Sequence, residues 1–214
     1  MIYIQTLIDF ILHIDVHLGE MITTYQGWTT AILFMIIFLE TGVVIFPFLP
    51  GDSLLFAIGV FTAKGSFDYW TITLLLLAAA IIGDSVNYSI GKYLGPKVFD
   101  RDDSVYLNRK HLIKARTFYE KYGAKTIIIA RFIPIVRTFA PFVAGIGEMK
   151  YKEFMIYNAV GAILWIYSFT TLGFYFGSLE FVEKNFKLVM IAIIIFSVLP
   201  AVYEILRERK KRAA

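Results

Sequence analysis

The sequence contains no cysteine and only three histidines, and just 18% of its residues are charged. Without cysteine there are no disulfides, no thiol catalysis and no cysteine metal sites. His13 and His17 stand one helical turn apart, but no further ligand cluster accompanies them, so an exposed polar face is expected there rather than a metal site. His111 lies in a polar segment, and no nucleophile–base pair is in sight. No basic segment precedes a short apolar core at Met1, so a cleaved signal peptide is not expected. What the chain has in excess is apolar surface. Of its 214 residues 58% are hydrophobic and 17% aromatic, with a mean hydropathy of +0.67. Soluble domains carry about 25% charged residues and fewer apolar ones, so this composition is that of a polytopic membrane protein. Most basic residues flank apolar spans, where positive-inside bias explains them, and no nucleic-acid partner is implied.

Within this apolar chain the stretch Arg131-Phe-Ile-Pro-Ile-Val-Arg-Thr-Phe-Ala-Pro-Phe-Val-Ala-Gly145 stands out. A charge at membrane depth costs roughly 2.5–3.5 kcal/mol on insertion scales, so Arg131 and Arg137 are expected to face a protein-lined interior. Pro134 and Pro141 each remove a backbone donor and disfavour helix in the residue before them. Irregular backbone at such depth survives where protein or trapped water satisfies it. A broken, re-entrant segment over about 124–148, with Pro134, Pro141 and Gly145 at its breaks, is the resulting expectation.

Taken in order, residues 1–27 read as an N-terminal amphipathic segment at the interface, carrying Asp9, His13, Asp15, His17 and Glu20 but no Lys or Arg over 1–24. Trp28–Ile45 has about the spanning length and holds Glu40 near one end. Pro47, Pro50 and Gly51 then break the chain before Asp52, an N-cap candidate, so that 46–63 forms a second re-entrant segment. The span Asp68–Tyr93 carries Gly83, Asp84, Asn87, Tyr88 and Gly91 at helical spacing. These supporting residues suit helix packing in lipid and leave room for a homodimer, with Asp84 read as buried glue or as part of the site. Residues 92–125 form a basic amphipathic loop, with a surface helix expected over 109–122. Tyr151–Phe176 is another span, and residues 179–214 supply a last span, Leu188–Leu206, and a basic tail.

Lys and Arg orient the chain. With 92–125, Lys150, Lys152 and the tail on the cytoplasmic side, that side holds sixteen, against Lys64, Lys184 and Lys187 outside. Both termini are then cytoplasmic, and the two broken segments enter from opposite sides. A shift of 82 residues aligns 65–95 with 147–177, with seven identities in 31 positions, chiefly glycine and tyrosine. Such inverted halves, each with an interrupted segment, point to a transport site at the midplane. If the breaks meet, Glu40 and Asp52 pair with Arg131 and Arg137 and offset their desolvation. Arginine stays protonated, so a carboxylate is the group that takes up a proton, releasing a guanidinium to bind phosphate in bidentate fashion.

The elements Phe38-Leu-Glu40-Thr-Gly, Pro47-Phe-Leu-Pro50-Gly-Asp52, Gly83-Asp84 with Asn87-Tyr88 and Gly91, Arg131-Phe-Ile-Pro134-Ile-Val-Arg137 and Ala144-Gly145 resemble the signature of bacterial DedA proteins, in the SNARE-associated/VTT group. The resemblance covers about residues 28–178. It implies an all-α polytopic membrane protein of the bacterial cytoplasmic membrane, with two re-entrant, proline-broken hairpins and about four full transmembrane helices in an inverted repeat. The implied activity is lipid transport linked to the proton-motive force. The cargo would be undecaprenyl phosphate, or phosphatidylethanolamine and other phospholipids. Glu40 and Asp52 match the family's important acids, as proton-coupling groups, and Arg131 and Arg137 its arginines, as phosphate binders. No cofactor and no enzymatic activity are expected; the coupling ion is H+, with Na+ as the alternative. Two other classes compete: a lipid phosphatase, and a structural protein whose buried ion pairs fix helix register.

Overall fold

In the computed structural model the described residues are 14–25, 27–43, 51–99, 123–197 and 199, and every regular element among them is a helix. These are α1 (Ile14–Tyr25), α2 (Trp28–Gly42), α3 (Gly51–Ala63), α4 (Tyr69–Phe99), α5 (Thr126–Ala130), α6 (Pro134–Ile146), α7 (Tyr151–Phe176), α8 (Glu180–Lys184) and α9 (Phe186–Ser197). They fall into two compact units. Described residues up to Met35, up to Leu76 from Gly51, and from Ile166 onward make the first; Ile36–Val43 and Leu77–Trp165 make the second.

The two long helices hold apolar stretches of 26 residues, Tyr69–Leu94 and Tyr151–Phe176, displaced by the same 82 residues as the sequence repeat. At 1.5 Å per residue each runs about 39 Å, more than a hydrocarbon core of about 30 Å. In their most apolar windows just 39% and 33% of residues are buried, and Trp70, Leu74, Ile82, Val86, Ile156 and Val160 lie exposed. A core helix of a soluble protein buries such side chains; these two present them outward, as lipid-facing helices do. The 15-residue α2 and 13-residue α3 are shorter than a span. Apolar on every side, α3 is buried from Gly51 through Val60.

The units repeat the same local devices. In the first, Gly59 of α3 meets the Thr170–Phe174 backbone of α7, and Gly173 meets the Phe56 carbonyl. In the second, Gly145 of α6 meets the Tyr88 and Lys92 backbone of α4, and Gly91 meets the Phe142 carbonyl. A Cβ at any of these four glycines would overlap the facing backbone, so glycine is what lets the helices touch. Both α3 and α6 also end in the same reverse turn. Ser66 N–H donates to Phe61 O and Gly65 N–H to Thr62 O; Met149 N–H donates to Ala144 O and Glu148 N–H to Gly145 O. The turn needs a left-handed residue, which is Gly65 (φ +84°) in one case and the non-glycine Glu148 (φ 56°) in the other. Asp68 then starts α4 by accepting from Thr71 N–H (2.8 Å) and Thr71 Oγ1–H (2.6 Å). Those two hydrogen bonds, the side-chain one first, hold the Asp68 carboxyl below its usual range.

Several expectations change. The helix of α4 continues to Phe99, so residues 92–99 are helical rather than the start of a loop. Pro141 and Gly145 lie inside α6 and do not break it; the break is the turn at Arg131–Ile133. A proline in the second turn of a short helix costs one hydrogen bond there, whereas Gly145 serves contact with α4. Asp52 sits within the first turn of α3 rather than ahead of it. Leu18 of α1 is buried and Gly19 faces the Phe61 ring, so α1 packs on α3. Pro47, Pro50, His13, the expected helix over 109–122 and the basic tail lie outside the described residues.

Candidate functional site

The second unit is built around the break between α5 and α6. Ile133 is extended (φ −119°, ψ 105°), as a residue before proline must be, and Pro134 opens α6 at its first turn, where no backbone donor is missed. Arg131 therefore caps the end of α5, and Arg137 lies one turn into α6. Both side chains are buried, at 2% and 3% exposure.

Each guanidinium has a buried carboxylate. Arg137 Nη2 donates to Glu40 Oε1 at 2.5 Å. Arg131 Nη2 donates to Asp84 Oδ2 and to Asn158 Oδ1. Beneath both cations lies the fully buried Trp165, whose ring centre is 4.5 Å from Arg137 Cζ and 5.7 Å from Arg131 Cζ. The pairs also act on each other, Arg137 on Asp84 and Glu40 on Arg131. Two cations and two anions make the cluster neutral, which is what allows four ionised groups to be buried together.

Small residues and amides hold it in place. Gly83 of α4 lies against Phe38, Thr41 and Gly42 of α2, where a side chain would overlap Thr41, and this close crossing brings Glu40 inward. Asn87 Nδ2 donates to Thr41 O (3.0 Å) and Thr138 O (2.8 Å), tying α2 and α6 to α4. Asn158 Nδ2 donates to Ile81 O (3.2 Å), which fixes the amide oxygen toward Arg131. Tyr88 OH donates to Met149 O and its ring stacks on Phe154 at 4.5 Å. Gly161 leaves room for the Arg131 side chain, with Nε 3.4 Å from where a Cβ would stand. Among the described residues, the buried atoms Asp84 Oδ1, Asn87 Oδ1 and Arg131 Nη1 have no hydrogen-bond partner.

Arg131, Arg137, Glu40, Asp84, Asn87, Tyr88, Gly83 and Gly91 thus all fall in this unit, with Asp84 as the counter-ion of Arg131. Asp52 belongs to the first unit, where its Oδ2 accepts from Ser197 Oγ at 2.6 Å. On the glycine face that leaves room for a homodimer, Gly83 is met by α2 and Gly91 by α6 of the same chain. Sequence reasoning missed Asn158, Gly161 and Trp165. Asn158 was legible as a lone amide in an apolar span, a residue type that is costly in lipid without a partner. In the same unit, α4 and α7 bound a groove of about 660 Å³ lined by Ile81, Val86, Ile90, Tyr93, Tyr151 and Met155. Its two serine hydroxyls turn back into α4, Ser85 to Ile81 O and Ser89 to Ser85 O, and its surface is mostly apolar.

A VTT domain matches residues 49–175. Protein DedA of Escherichia coli is 52% identical over 212 residues, covering 98% of this chain and 97% of that protein. An uncharacterized membrane protein of Mycobacterium leprae is 39% identical over 167 residues, covering 78% and 75%. The inner membrane protein YqjA of Escherichia coli is 37% identical over 151 residues, covering 71% and 69%. No solved structure matches. Near-full-length identity to one relative and a domain match across more than half of the chain, on a helical scaffold with an apolar exterior, make this a membrane protein that belongs to the DedA family.

Proposed function

We propose that this protein carries a phosphate-bearing lipid between the leaflets of the bacterial inner membrane, driven by protons, with undecaprenyl phosphate as the cargo. The observation that carries the reading is the pair of buried arginines at the α5–α6 break, each held by a carboxylate over one tryptophan ring. Guanidinium groups bind phosphate through paired, charge-assisted hydrogen bonds, and here they are masked until a carboxylate lets go. Protonation of Glu40 weakens its hold on Arg137 and presents that guanidinium to the lipid phosphate. Deprotonation toward the opposite side restores the pair and expels the phosphate, so a proton gradient sets direction. The apolar groove along α4 and α7 accommodates a hydrocarbon chain. Asp52, in the other unit, contacts Ser197 on α9 and passes protons on without holding one in the loaded state, so it adds nothing to the proton count.

In this reading α3 and the α5–α6 segment are the re-entrant elements, too short to cross, while the long α4 and α7 span fully. The excess of Lys and Arg in 92–125 and in the tail supports a cytoplasmic side for those segments and both termini.

The test is leaflet exchange of labelled undecaprenyl phosphate in liposomes containing the purified protein, with and without a pH gradient. Wild type is expected to exchange the lipid faster with the gradient, and Arg137→Ala to lose that exchange while still inserting. Exchange of phosphatidylethanolamine alone would keep the mechanism and change the cargo. Exchange that survives in both Arg131→Ala and Arg137→Ala would refute the site.

A further inference from the structure

The charges of the cluster make a demand that Glu40 alone does not meet. At rest Arg131 and Arg137 are balanced by Glu40 and Asp84, so the buried site is neutral. A phosphate monoester brings a charge of about −1.5 to −2 at neutral pH. With that group on the two arginines and Glu40 protonated, Asp84 would leave the buried site with roughly half to one negative charge in excess. An uncompensated ion in a low-dielectric interior is strongly unfavourable, so a second anion must be neutralised. Asp84 is the second carboxylate that contacts an arginine of this site, and it is 97% buried beside Arg131.

We propose that Asp84 is the second proton carrier of the transport cycle, releasing Arg131 as Glu40 releases Arg137, so that two protons accompany each phosphate monoester. The assignment rests on the transport reading above and adds its stoichiometry. The groups facing Asp84 are Arg131 at the end of α5, Arg137 on α6 and, across Arg131, Glu40 on α2. Asn158 on α7 shares the same Arg131 nitrogen as Asp84, so Arg131 keeps one oriented partner when the carboxylate is protonated. Asp84 Oδ1 and Arg131 Nη1, both buried and without a hydrogen-bond partner among the described residues, give the incoming proton and the incoming phosphate oxygen a place to bind. A phosphodiester headgroup, with one negative charge, calls for Glu40 alone and one proton.

The experiment counts protons taken up per undecaprenyl phosphate exchanged, with a pH indicator inside liposomes that hold the full-length protein. Wild type and Asp84→Glu are expected to give two, and Asp84→Asn one. A purely structural role for Asp84 would lower the rate in Asp84→Asn and leave the ratio unchanged, which overturns the assignment. Should Asp84→Asn not fold, infrared difference spectra of wild type carrying 13C-aspartate decide the matter. Addition of undecaprenyl phosphate is expected to raise a protonated carboxyl band that shifts with the label and persists in Asp52→Asn; absence of a shifted band overturns the proposal. Wild-type exchange with one proton removes Asp84 and leaves the transport reading standing, whereas no exchange of any lipid removes both.

Discussion

Glu40 and Arg137 offer the sharpest test of the buried cluster, through a double-mutant cycle. Their exposures are 0% and 3% and their contact is 2.5 Å, so solvent screens the pair very little. Glu40→Gln leaves a guanidinium at membrane depth without its anion. Breaking a buried pair costs about 3–5 kcal/mol, and a lone arginine at the helix centre about 2.5–3.5 kcal/mol on insertion scales. The Trp165 ring, 4.5 Å away, returns about 1–2 kcal/mol of that. A net loss of roughly 2–3 kcal/mol is therefore expected for Glu40→Gln, and a similar loss for Arg137→Gln, which strands the carboxylate instead. The double variant removes both charges and should fall within about 1 kcal/mol of wild type, a coupling energy of roughly 3 kcal/mol or more. Thermal melting in detergent reads this directly. For a chain of this size 1 kcal/mol moves Tm by about 2–4 °C, so each single variant melts roughly 5–10 °C lower and the double one recovers most of the loss. Single effects that simply add, within about 0.5 kcal/mol, would show that the two residues do not pair.

Replacing the ring under the cations should matter more than replacing its volume. Trp165→Leu is expected to destabilise by roughly 3 kcal/mol or more and to abolish lipid exchange, while Trp165→Phe keeps a ring and partial exchange; equal behaviour of the two variants would deny the ring its role. Gly91→Leu and Gly173→Leu should each block folding, because the new side chain meets the Phe142 or Phe56 carbonyl, and the exposed Gly27→Ala serves as the unaffected control; normal detergent-extractable yield of either leucine variant would refute the crossings. Glu148→Gly should raise stability by about 1 kcal/mol by relieving a left-handed non-glycine residue, seen as a higher Tm. At the start of α4 the Asp68 carboxyl is held below its unfolded value, so its contribution is complete above the ordinary carboxylate range and is lost as pH falls through its depressed value. Amide exchange at residues 69–72 should accelerate at that acid limit in wild type and show no such step in Asp68→Asn.

Composition and periodicity made the membrane class legible, because lipid demands apolar helices and leaves few alternatives. The 82-residue repeat was legible too, from a handful of glycines and tyrosines, since Gly91, Gly173 and the tyrosines opening α4 and α7 mark contacts where backbone approaches backbone or ring meets ring. Pro141 misled for a physical reason: a proline in the second turn of a short helix forfeits one hydrogen bond, which packing outweighs. Pro134 marked the break correctly, since the residue before a proline resists helix wherever it lies.

The sequence by itself determined that this chain lives in a membrane, that its halves repeat, and that Glu40, Arg131 and Arg137 are buried charges in need of partners. Each follows from local cost, the expense of a charge or a broken helix in lipid, which any reader of the chain can assess residue by residue. Which acid answers which arginine is not local. That Asp84 takes Arg131, that Glu40 takes Arg137 and that Trp165 lies under both depend on α2, α4, α6 and α7 crossing at glycine contacts, among them Gly83 and Gly91. Residues 27 to 97 positions apart become neighbours through those crossings, and only the tertiary structure decides the pairing.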